Sequence, residues 1–192
     1  MAVKNKFYEV NVEVLNQKIS LLGASIEELN KRTVKLDLTR NLRGKSIELT
    51  LIIKADKEKA IATVKELRAL GFFIRRMIRK GTDYVEDSFK VNCEDAQIQI
   101  KPFLITRKKV SRAVKNALRK ESKEYLESYV KSKKFDELVK EIIENKLQKP
   151  MSLKLKKIYP LALCEIRVLK KIEELAQKEE KKTKKEDKPK EE

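Results

Sequence analysis

Asp83, Glu86 and Asp87 come closest in this sequence to a divalent-cation site, because a hard ion such as Mg²⁺ takes carboxylate oxygens. Three acids beside a strand edge more often face water, and no metal is expected there. Ser111 and Ser152 carry hydroxyls that a base would have to activate, yet the chain has no His, which leaves only a serine-lysine pairing. The missing His is also the usual proton carrier near neutral pH and the commonest metal ligand. Cys93 and Cys164 lie outside any CxxC or zinc-ligand spacing and read as reduced packing thiols of a cytoplasmic protein. With four Gly there is little material for a glycine-rich phosphate loop. Catalysis and a cofactor are therefore not expected.

What the sequence offers instead is positive charge. Among 192 residues, 47 Lys and Arg stand against 30 Asp and Glu, a formal net charge of +17. Residues 171–192 are a neutral mixture of Lys and acids, so the whole excess lies in residues 1–170. It is clustered there. From Ala96 to Lys120 no acid occurs, while Lys101, Arg107, Lys108, Lys109, Arg112, Lys115, Arg119 and Lys120 do. Arg68, Arg75, Arg76, Arg79 and Lys80 share a second acid-free stretch, and Lys146 to Lys170 contains Glu165 as its sole acid. Clustered cations bind a polyanion by neutralising phosphates and releasing counterions, and guanidinium groups hold phosphate bidentately. A membrane surface fits less well: the basic helices spend their apolar faces on a core, no Trp is present to anchor them, and no apolar run reaches the ~20 residues that span a bilayer.

The elements that must position these cations follow from periodicity. Tyr8 to Val14 alternates apolar and polar residues as a half-buried strand does. Ser25 with Glu28 makes a capping box for one short helix, and Val34–Leu38 and Ile47–Ile53 alternate on either side of a turn at Asn41–Gly44. A short strand is expected over Ile61–Lys65. Leu67, Leu70, Phe73, Ile74, Met77 and Ile78 predict an amphipathic helix stopped by Gly81, with Arg68, Arg75, Arg76, Arg79 and Lys80 on its outer face. Strands are expected at Phe89–Val91, Ile98–Ile100 and through Ile105, with a hairpin turn at Asn92–Asp95. A long helix follows from about Lys109 to Val130, with Lys108, Arg112, Lys115 and Arg119 as an outer ridge and Val110, Val114, Ala117 and Leu118 inside. A second helix shows acids outward (Asp136, Glu137, Glu141, Glu144). A third begins near Pro150 with Met151, Leu155 and Ile158 inward and Lys154 and Lys157 outward, and a last strand spans Leu161–Leu169. These readings give one α+β domain over residues 1–170 and a charged low-complexity tail over 171–192, disordered from about Gln177.

Certain residues are more specific. Ile74-Arg75-Arg76-Met77-Ile78-Arg79-Lys80-Gly81-Thr82 followed by Phe89-Lys90-Val91, then Arg112-Ala113-Val114-Lys115, and above all Lys156-Lys157-Ile158-Tyr159-Pro160-Leu161 with Glu165-Ile166-Arg167, occur in this order. The chain thereby resembles the small-subunit ribosomal protein family of archaea and eukaryotes called S-three-A-e or S-one-e, best from Glu28 to Leu169. The resemblance implies a β-barrel-like antiparallel core flanked by amphipathic basic helices. It also implies a structural role in the cytoplasmic ribosome, on the small-subunit platform near the messenger RNA exit. The implied partners are ribosomal RNA near its 3′ end, neighbouring platform proteins, and messenger RNA at the exit channel.

The residues expected to touch RNA are Arg68, Arg75, Arg76, Arg79, Lys80, Arg107, Lys108, Lys109, Arg112, Lys115, Arg119, Lys154 and Lys157. The family shows a Lys-Asp-Gly-Tyr type of hairpin where this chain has Cys93-Glu94-Asp95-Ala96, and a longer polar loop before the long helix. Two other readings compete: a free-standing basic RNA- or DNA-binding module, and a metal-dependent enzyme on RNA centred on Asp83, Glu86 and Asp87.

Overall fold

The structure is a computed structural model that describes residues 6–42, 44–55 and 60–174. The charged stretch from Gln177 onward, Arg43 of the expected Asn41–Gly44 turn, and the first five residues lie outside the described residues. The chain divides into two compact units, Met1–Met77 and Ile78–Glu192.

The first unit holds strands β1 (Lys6–Val12), β2 (Gln17–Gly23), β3 (Thr33–Asp37), β4 (Ile47–Ala55) and β5 (Ala60–Ala69), then helix α1 (Gly71–Met77). Here β1 pairs antiparallel with β2 and in parallel with β5, while β4 pairs antiparallel with both β3 and β5. Alternation places Val10, Val12, Leu49, Leu51 and Ile53 inside. β2 was not among the expected strands, although Lys18-Ile19-Ser20-Leu21 carries the alternation. Asn16 turns the β1–β2 connection at a φ of 51°, a left-handed conformation that Asn tolerates. Ser25 and Glu28 do cap a turn, a 3₁₀ turn at Glu27–Leu29: Glu28 N–H donates to Ser25 Oγ at 3.3 Å, and Glu28 Oε2 accepts from Ala24 N–H at 2.8 Å.

The segment 61–78 departs most from expectation. Instead of a short strand and a helix from Leu67, β5 runs to Ala69 and α1 is seven residues long. The reason is a bulge. Thr50 pairs with Glu66 and Leu51 with Val64, so Lys65 is an extra residue in β5 and the inward positions switch from Ala60, Ala62 and Val64 to Leu67 and Ala69. That phase change breaks the period-two pattern and leaves Leu67 in step with the helical residues beyond it.

The second unit holds β6 (Tyr84–Glu86), β7 (Phe89–Asn92), β8 (Ala96–Thr106), α2 (Arg112–Val130), α3 (Phe135–Ile143), α4 (Gln148–Leu155) and β9 (Leu161–Glu174). β6, β7 and β9 all pair antiparallel with β8, and β7–β8 is the hairpin expected at Asn92–Asp95, with Cys93 N–H donating to Ala96 O at 2.9 Å. The separate strands expected at Ile98 and Ile105 are one strand. It accommodates Pro102, which cannot donate to the ladder, at a register shift where Arg167 of β9 is the extra residue. β9 runs to Glu174, four residues into the stretch read as tail. α3 buries Phe135, Leu138, Val139 and Ile142 and keeps Asp136 and Glu137 exposed, as its pattern required. Cys93 and Cys164 are both buried, and neither is in a disulfide.

Candidate nucleic-acid interface

α2 faces inward through Leu118, Ser122, Leu126 and Val130, a stripe in steps of four. The expected inner face was set too early: Ala117 is exposed, while Val110 and Val114 are half-buried. The helix begins at Arg112, so Lys108 lies in the preceding loop and the ridge on the helix proper is Arg112, Lys115 and Arg119. Ser111 is not a nucleophile in waiting but the helix cap, its Oγ accepting from Val114 N–H at 3.5 Å.

The loop 107–110 between β8 and α2 is held at several points. Thr106, fully buried, accepts from Asp83 N–H at 3.2 Å and lies 2.8 Å from Lys108 O, to which its hydroxyl can donate. Its own N–H donates to Asp83 O at 2.9 Å, and Arg107 N–H donates to Pro160 O at 3.4 Å. Asp83 closes the loop from the other end: Oδ2 accepts from Val110 N–H at 3.0 Å and pairs with Lys115 Nζ at 3.0 Å. The Val110 hydrogen bond, and after it the Lys115 ammonium, hold the Asp83 carboxyl below its ordinary value. Four consecutive exposed or half-exposed positions, Arg107 to Val110, are thus fixed by backbone groups and by Asp83, leaving the Arg107, Lys108 and Lys109 side chains for solvent or a ligand.

α2 also breaks a local rule. Its first turn has no acid and carries Arg112 and Lys115, although a helix N-terminus bears partial positive charge and favours anions. Asp83 offsets part of this repulsion. An incoming phosphate would offset the rest.

The acids proposed as a metal centre are occupied with separate tasks. Asp83 ties the loop, Glu86 pairs with Arg167, and Asp87 Oδ1 accepts from Ser88 N–H at 2.8 Å. Among the described residues no group of three or more such side chains is arranged to hold a metal ion. The bulge at Arg167 is what aims its guanidinium at Glu86, and Glu86 O in turn accepts from Arg119 Nε at 3.4 Å.

The expected RNA contacts therefore fall into two groups. Arg68, Lys115, Arg119 and Lys154 are engaged: Arg68 with Glu66 at 3.6 Å, Lys115 with Asp83, Arg119 with Glu86 O and Asn116 Oδ1, and Lys154 with Glu121 at 2.7 Å. Arg68 sits on β5, not on a helix. Among the described residues Arg75, Arg79, Lys80, Arg107, Lys108, Lys109, Arg112 and Lys157 form no ion pair, and all are exposed. Arg76 is exposed with its guanidinium 5.9 Å from the Phe73 ring centroid. Arg79 and Lys80 lie beyond α1, in a turn that Thr82 closes by donating through N–H and Oγ1 to Arg79 O and that Gly81 completes at a φ of 88°. Exposed ion pairs are worth at most about 1 kcal/mol, so the engaged cations are not barred from a phosphate, but only the unpaired ones meet it without breaking a contact.

Periodicity did not reveal Asp83 as the anchor of the basic loop. Grouped with Glu86 and Asp87 near a strand edge, it reads from the sequence as solvated charge. Nor did it reveal that Ile158, expected inside, is exposed while Lys154 lies over the Tyr125 ring at 5.6 Å.

Comparison with known proteins supplies the context. The model of the Ribosomal S3Ae family matches residues 3–174. A small ribosomal subunit protein eS1 of Pyrobaculum islandicum is 31% identical over 149 residues, 75% of this chain and 67% of that protein. The eS1 protein of Methanothermobacter thermautotrophicus is 31% identical over 144 residues, 72% of this chain and 73% of its own length. That of Nanoarchaeum equitans is 27% identical over 120 residues, 60% and 61% respectively. The family match runs from β1 through β9 and takes in all three basic stretches, so the chain belongs to the Ribosomal S3Ae family.

Proposed function

We propose that this protein is a structural constituent of the small ribosomal subunit in the cytoplasm, holding folded ribosomal RNA through its cationic residues and performing no catalysis. Family membership supports the ribosomal role. The observation that carries the RNA reading is the loop 107–110: three successive cations, unpaired and exposed, on a backbone held by Thr106, Asp83 and Pro160 O. A surface meant only for solubility gains nothing from such fixation, whereas phosphate recognition does, because ordering has been completed before binding. Arg75, Arg76, Arg79 and Lys80 are the second set of contacts, and Lys154 and Lys157 lie at the rim. Specificity comes from RNA shape and backbone more than from base edges. The site on the subunit is the platform near the messenger RNA exit, against the 3′ region of the RNA and neighbouring platform proteins, with messenger RNA passing at the exit channel. Among the described residues no helix is long and apolar enough to cross a membrane.

Sedimentation of lysate through a sucrose gradient at high salt, with mass spectrometry of the fractions, tests the assignment. Near-stoichiometric recovery in the small-subunit peak is the expected result. Recovery only in the light fractions would replace it with a free-standing basic nucleic-acid binder.

A further inference from the structure

α1 leaves half of one aromatic side chain open to solvent. Of the two adjacent phenylalanines, Phe73 is 3% exposed and Phe72 is 50% exposed. Phe73 and Ile74 supply the fully buried face of this short helix, while Phe72 keeps half of its surface open to solvent. Arg75 and Arg76 follow Phe72 at three and four residues on the same helix, with the Arg76 guanidinium 5.9 Å from the neighbouring Phe73 ring centroid. Both are exposed and neither is in an ion pair among the described residues. No acid interrupts the chain from Arg68 to Lys80.

A flat apolar ring flanked by two guanidiniums has a defined complement. The ring offers a face without polar atoms, which a nucleobase can cover by stacking, and the guanidiniums neutralise the phosphates on either side of that nucleotide. A base in a continuous duplex has no free face to offer. A protein partner would have to bury the ring inside a rim of uncompensated cations.

We infer that Phe72, with Arg75 and Arg76, is a stacking subsite for an unpaired RNA nucleotide, a contact distinct in kind from the phosphate-only contacts of the loop 107–110. The inference rests on the RNA reading above and specifies that part of the bound RNA is single-stranded.

The test uses the full chain and two probes, a short oligoadenylate and a blunt RNA duplex. Phe72→Ala is expected to weaken oligoadenylate binding by about five- to 150-fold, the range for loss of one base–aromatic stack, and to leave duplex binding unchanged. Phe72→Leu, apolar but not aromatic, should lose nearly as much. The chain has no Trp, so Phe72→Trp introduces a single indole whose emission is expected to be quenched by oligoadenylate and not by duplex. Wild-type binding of oligoadenylate by Phe72→Ala or Phe72→Leu, an equal loss on both probes, or an unmoved indole emission would each overturn the subsite. If the wild-type chain binds neither probe, the RNA reading itself falls. If it binds the duplex alone, only the stacking subsite does.

Discussion

Replacing Arg107, Lys108, Lys109 and Arg112 together by Ala tests the basic loop without touching what holds it. Its anchors are the Arg107 and Val110 N–H groups, Lys108 O, and the side chains of Thr106 and Asp83, all of which remain, as does the Ser111 cap of α2. Ala at position 112, in the first turn of α2, is a good helix former. The four lost side chains are exposed and unpaired, so the fold loses little and any RNA loses four phosphate contacts. Each contact contributes about 0.7 to 0.9 to the slope of log affinity against log salt concentration, so the slope should become shallower by about 3. Over a fourfold rise in salt, from about 50 to 200 mM, the variant's affinity should then fall by about sixtyfold less than the wild type's. Fluorescence anisotropy with a fragment of small-subunit RNA, titrated at several salt concentrations, reads this directly. Lys154→Ala serves as control: its ammonium already pairs with Glu121, and the slope should move by less than about 1. A quadruple variant that binds with a slope within about 1 of wild type would refute the loop as an RNA contact, whatever its absolute affinity.

Other outcomes follow from the same geometry. Reversing Arg75, Arg76 and Arg79 to Glu should abolish entry into the small subunit while circular dichroism and melting stay near wild type, and wild-type incorporation would remove that segment from the RNA face. Leu126→Ala, at a fully buried position of α2, should cost about 2–5 kcal/mol in urea unfolding, and a cost under about 1 kcal/mol would mean the inner stripe of α2 has been misplaced. The Asp83 carboxyl sits below its ordinary 3.8 in the folded chain, so its contribution is fully present above that value and is lost as pH falls through the lower, folded value. The melting-temperature gap between wild type and Asp83→Asn should therefore be constant from neutral pH to about 5 and close below about 4; a gap that widens on acidification would contradict the Asp83–Lys115 pairing. Ser111→Ala should cost about 0.5–2 kcal/mol through loss of the α2 cap, and no change in thermal unfolding would show that cap to be unimportant.

By itself the sequence determined the cationic character, its clustering in two acid-free stretches and in a third, Lys146 to Lys170, with a single acid, and the strands and helices whose periodicity is unbroken. β3, β4, the β7–β8 hairpin, the extent of α2 to Val130, and α3 sit where alternation or steps of three and four placed them, because one buried face imposes one period on each of them. Regular elements with an irregularity were misread for a common reason. The bulge at Lys65 shifted the inward phase of β5 and handed Leu67 to a helix that begins only at Gly71, and the register shift at Pro102 disguised one long strand as two.

Apart from Arg68, whose partner Glu66 is on the same strand, which cation is free was decided by tertiary structure, since a partner such as Asp83 for Lys115, or Glu86 O for Arg119, lies about thirty residues away in sequence and is brought near by pairing β6 with β8. The same holds for Phe72 and Phe73. Adjacent and chemically identical, they differ in exposure because the 100° turn between successive helical residues sends one side chain into the core and leaves the other half-exposed.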